Sequence, residues 1–149
     1  MSDDNNFPKG ALLSSLIEKM ACFGDATVMV GEGRSYGAGY IHWLGTVNPG
    51  IEKECFECAN ELRSSSDCAW KMNELRGGFG QNEENARKLA EKEIRTPIVS
   101  LILKARRHEL KAVEILQRII EIFQGTIVRI GVVSSLHLKS LMCGTVGKR

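Results

Sequence analysis

The stretch from Pro97 to Gln124 constrains this chain more than any other, because it carries a start signal, a stop signal and no further Gly or Pro between them. Pro at a first helical position gives up no hydrogen bond, Thr96 can cap the free amides, and Gly125 accepts the left-handed turn that ends a helix. Inside it, Ile98, Leu101, Ile102, Ala105, Ala112, Val113, Leu116, Ile119, Ile120 and Phe123 recur at steps of three and four, which predicts one apolar stripe. A second set, Val99, Leu103, Leu110, Ile115 and Ile122, widens that surface beyond what one packed side needs. Neighbours are therefore expected on two sides, within the same domain or in a second subunit.

A chain of 149 residues, 43% hydrophobic and 26% charged, can bury a core without disulfides or metal. A single compact domain over 1–149 is expected, with a frayed polar start at 1–6 and a loose end at 144–149. Aromatic content of 6% argues against a base-stacking nucleic-acid platform. The net charge of +2 selects no partner, although residues 126–149 hold 4 basic groups and no acidic one. No secretion signal is visible, and the apolar runs fall far short of the ~20 residues that span a bilayer. Five cysteines, an odd number, fit reduced thiols better than a disulfide framework. These features predict a soluble, cytoplasmic protein with no membrane partner.

Local propensity divides the rest of the chain. Leu12, Leu13, Leu16, Ile17 and Met20 predict a short helix over about 9–22, ended by Phe23-Gly24-Asp25. Residues 26–30 and 39–47 are β-rich and flank a glycine-rich stretch, which predicts a hairpin with a long tip. After Asn48-Pro49-Gly50, the positions Ile51, Cys55, Cys58, Leu62, Ala69 and Met72 keep a helical register; Ser64-Ser65-Ser66-Asp67 leaves open one helix or two. Arg76-Gly77-Gly78-Phe79-Gly80 is a break, and Asn82 can cap a helix over 83–95 that ends or kinks at Thr96. Thr126 to Ser134 reads as a third strand and Leu136 to Met142 as a short last helix. The expected class is α+β, a small antiparallel sheet of about three strands packed by four or five helices.

Three motifs are candidate sites. The glycines of 31–39 would let backbone amides approach a small anionic ligand or nucleotide, with Gly33, Arg34, Ser35, Tyr36 and, beyond the loop, His42 as contacts. This is neither a Walker loop nor a dinucleotide fingerprint, since it lacks GK[ST] and leads into a strand. Lys104, Arg106, Arg107 and Lys111 form a basic face suited to an anion or nucleic acid. Cys55 and Cys58 have zinc or redox spacing, but they also match the buried stripe, and packing is the preferred reading.

No base lies near a nucleophile with informative spacing, so no catalytic residue, metal site or cofactor is assigned. The leading expectation is a small non-enzymatic interaction protein that self-associates through helical surfaces. A ligand-binding domain or enzyme built on 31–39, and nucleic-acid binding through the basic helix face, are the alternatives.

Overall fold

The computed structural model describes residues 12–143, with side chains described up to residue 125. It is all-helical: α1 (Leu13–Val47), a single 3-10 turn (Pro49–Ile51), α2 (Glu52–Leu75), α3 (Glu83–Leu89) and α4 (Lys92–Cys143). The expected α+β fold is thus wrong, for no strand occurs among the described residues. The predicted hairpin is the C-terminal two thirds of α1, and the predicted third strand and last short helix lie within α4. The termini 1–6 and 144–149 lie outside the described residues.

A seven-residue recurrence of small side chains overrides the local propensity in α1. Gly24, Gly31, Ala38 and Gly45 are all buried and form a line along its inner face. This lets α2 run antiparallel at very close range: a Cβ on Gly31 would lie 2.9 Å from the Trp70 ring, and one on Gly45 would lie 2.8 Å from Cys55 Cβ. The Ser66 hydroxyl donates to the Gly31 carbonyl across this seam at 2.7 Å. Glycine and β-branched residues are poor helix formers alone, but tertiary packing supplies more than their cost of roughly 1 kcal/mol each.

The Asn48-Pro49-Gly50 turn reverses the chain, with the Asn48 side chain donating to the Leu44 carbonyl at 2.9 Å. Helix α2 is continuous because Ser65 and Ser66 turn inward and bond to neighbouring helices. It ends as expected: Gly77 and Gly78 have φ of 104° and 70°, and the Gly78 amide reaches back to the Asn73 carbonyl at 2.8 Å. The Asn82 Oδ1 accepts from the Asn85 amide at 2.9 Å and caps α3.

Helix α3 stops at Leu89, short of the expected 95, and the buried Arg95 donates to the Leu89 and Ala90 carbonyls. Helix α4 then begins at Lys92, ahead of the proline, so Pro97 sits inside it and Gly125 does not end it. Pro97, the sixth residue of that helix, offers no N–H to the Glu93 carbonyl, an interior loss that the packing of the flanking Ile94 and Ile98 against the core has to offset.

Two apolar clusters hold the bundle. Near α3, Leu16, Met20 and Phe23 of α1 meet Ala69 and Met72 of α2, Leu89 of α3 and Ile98 of α4. Near the α1–α2 turn, Ile51, Cys55 and Cys58 meet Ala112, Ile115 and Ile119. Between them lies a polar layer in which the Glu109 carboxylate of α4 accepts from Arg34 of α1 and from the fully buried Ser65 of α2, at 2.5 and 2.6 Å.

Candidate functional site

The structure separates the residues expected around a glycine-rich ligand loop. All five stand on one helix, where neighbours two apart point about 200° away from each other. Arg34 faces inward and is engaged by Glu109. Gly33, Ser35 and Tyr36 are exposed, and a Cβ added to Gly33 would meet nothing within 4 Å. His42 leans along α2, its ring stacked on Phe56 with centroids 4.6 Å apart.

The basic residues of α4 are divided as well. Lys111 and His108 both bond to the Glu61 carboxylate, at 2.5 and 2.7 Å. Their hydrogen bonds, His108 foremost, hold the Glu61 carboxyl below the usual carboxylate range. Arg106 and Arg107 are exposed, and neither they nor Lys104 forms an ion pair among the described residues. Lys104 borders a groove of about 310 Å³ between α2 and α4, with Ser64, Asp67, Cys68, Lys71 and Leu101.

The paired cysteines are core residues. Cys55 and Cys58 are completely buried, and burial pushes the Cys58 thiol up to about 11. No group of three or more His, Cys, Asp or Glu side chains among the described residues is placed to hold a metal ion. No described helix is long and apolar enough to cross a membrane.

The feature local propensity concealed is the outer face of α1. Cys22, Ala26, Met29, Gly33, Tyr36, Tyr40, Trp43 and Val47 follow alternating steps of four and three, all exposed and none charged. This stripe is offset by two residues from the buried line of Gly24, Gly31, Ala38 and Gly45, and so lies on the opposite side of the helix. The signal was present in the sequence as two superposed heptad patterns, but a segment read as hairpin has no helical faces to compare.

Tyr36, Tyr40 and Trp43 are 79%, 60% and 55% exposed. At about 150–250 Å² per ring, they leave on the order of 400 Å² of aromatic surface uncovered. Monomeric proteins rarely expose contiguous apolar patches beyond a few hundred Å². Helix α4 has a second exposed set, Leu103, Leu110, Val113 and Ile120, interrupted by Arg106, Arg107 and Gln117. The two central residues of its second apolar set part company: Ile115 is buried inside the bundle and Leu110 is 53% exposed. No family model, curated protein or solved structure matches this chain.

Proposed function

We propose that this chain is a small, intracellular, non-enzymatic interaction protein that assembles with copies of itself through helical surfaces, chiefly the outer face of α1. The observation that carries the reading is the unbroken uncharged stripe from Cys22 to Val47, backed by a helix whose opposite face is already filled by α2. Covering such a surface removes apolar area from water at about 25 cal/mol per Å². An intracellular setting is supported by free cysteines at 22, 55, 58 and 68.

Sedimentation velocity at micromolar concentration tests the proposal. The expected result is a mass above that of one chain, reduced by Trp43→Glu and by Tyr36→Glu. A single-chain mass at every concentration would refute it. A second reading, contact of Lys104, Arg106 and Arg107 with an anionic polymer, is favoured by the lack of carboxylate partners for them among the described residues. It requires retention on RNA or DNA that falls steeply with salt and weakens in Arg106→Ala/Arg107→Ala.

A further inference from the structure

Building on the self-association reading, we infer that two copies pair through α1 in one antiparallel register, with Tyr36 of each copy seated on Gly33 of the other. Gly33 is the position that selects the register. It lies in the middle of a helix, where glycine costs roughly 1 kcal/mol relative to alanine, yet its own fold gives no steric reason for it, since a Cβ there would meet nothing. The notch it leaves is flanked by Met29 and Tyr36 on the exposed stripe.

Helices with alternating four- and three-residue steps pack knobs into holes. A two-fold axis passing between Arg34 and Ser35 sets Gly33 against Tyr36 of the second copy, Met29 against Tyr40, Ala26 against Trp43 and Cys22 against Val47. Every stripe residue is then used, and each aromatic ring faces a glycine, an alanine or a flexible methionine, which is the alternation of large and small that fills an interface without voids. Sliding one copy by a heptad spoils this in either direction. One shift sets Trp43 against Lys19 and Val47 against Ser15, off the uncharged stripe, and the other sets Tyr36 against Tyr40. A parallel pair would stack Gly33 on Gly33 and Trp43 on Trp43.

The charged border agrees with this register. Asp25 and Glu32 are exposed along one edge of the stripe; antiparallel packing brings that edge beside the uncharged Thr46 and Gly39 of the second copy, so no like charges meet across the pair. The area is also sufficient. Two sets of rings bury on the order of 800 Å², and Met29, Val47, Ala26 and Cys22 carry the total past the roughly 1,000 Å² that a specific interface needs.

The register is read directly by Val47→Cys in the full-length chain, with Cys143→Ser to simplify the products. Mild oxidation, or a short bismaleimide, is expected to join Cys22 of one copy to the thiol introduced at position 47 of the other, identified by peptide mass spectrometry and abolished by Cys22→Ser. In parallel, Gly33→Leu fills the Tyr36 seat and is expected to weaken dimerisation by roughly tenfold or more. A better helix former at an exposed site should leave the thermal midpoint of the monomer no lower. A dimer in which Cys22 does not link to position 47, or one that tolerates Gly33→Leu, overturns the register while leaving self-association intact. A monomer in sedimentation overturns both.

Discussion

Alanine placed at Gly31 and at Gly39 provides a paired test of why α1 is a helix. Both positions are interior to the same helix, so each substitution gains about 1 kcal/mol of intrinsic helix stability. At Gly39 a Cβ meets nothing within 4 Å, and that gain should appear almost whole. At Gly31 the Cβ would lie 2.9 Å from Trp70 Cε2 and 3.1 Å from Nε1, closer than carbon atoms pack. Either the indole moves or α1 and α2 separate, at an overpacking cost of about 1–3 kcal/mol. Separation also loosens the buried bond from Ser66 to the Gly31 carbonyl, which is worth about 1 kcal/mol. Gly31→Ala should therefore be destabilised by about 1–3 kcal/mol and Gly39→Ala stabilised by about 1 kcal/mol.

Urea unfolding followed by circular dichroism at matched protein concentration measures both. With a slope of about 1–3 kcal/mol per molar, the two midpoints should lie at least about 0.7 M apart, on opposite sides of the unsubstituted protein. Equal stabilisation by both would show that α2 does not press on Gly31. Destabilisation by both would refute a helix at these positions.

Acid should weaken the bundle through its polar layer. Burial pushes the Glu109 carboxyl up, but hydrogen bonds from Arg34 and Ser65 outweigh it, and both Glu109 and Glu61 are held below the usual carboxylate range. The unfolded chain then binds protons first, so their stabilisation is complete above about pH 5 and is lost as pH falls toward the depressed folded values. Urea midpoints taken down to about pH 3 should fall, and Glu61→Gln or Glu109→Gln should flatten the slope; a flat profile in the unsubstituted protein contradicts this account. Thiol labelling should be selective as well. At concentrations low enough to dissociate the α1 pair, the exposed Cys22 is expected to react with maleimide at neutral pH while Cys55, Cys58 and Cys68 stay unmodified until the protein is unfolded. Modification of Cys58 at the rate of Cys22, seen by mass spectrometry, would contradict its burial.

Signals acting over a few residues were legible. The glycine pair after Arg76 ends α2 through two positive φ angles, and Asn82 caps α3, because turn and cap chemistry depends on atoms close along the chain. Of the stripe expected on α4, Ile98, Ala105, Ala112 and Ile119 are buried, whereas Val113, Ile120 and Phe123 are exposed and Ile115, expected on the second side, is buried in their place. The Ser64–Asp67 segment was ambiguous for a physical reason: Ser65 and Ser66 satisfy their hydroxyls on Glu109 and Gly31, partners 44 and 35 residues away. The expected ligand contacts around Arg34 were undecidable in the same way, since its partner, Glu109, lies 75 residues along the chain.

By itself, then, the sequence determined where the chain turns around Asn48 and Gly77, and the buried rows through Cys55, Cys58, Ala69 and Met72 of α2 and through Ile98, Ala105, Ala112 and Ile119 of α4. Only the tertiary structure decided that residues 26–47 are helical and that α4 begins at Lys92 and runs past Gly125. Glycine and β-branched residues disfavour a helix locally by amounts on the order of 1 kcal/mol each, and only a second helix at close range outweighs them. That same packing fills one side of α1 with α2 and leaves the aromatic side facing outward.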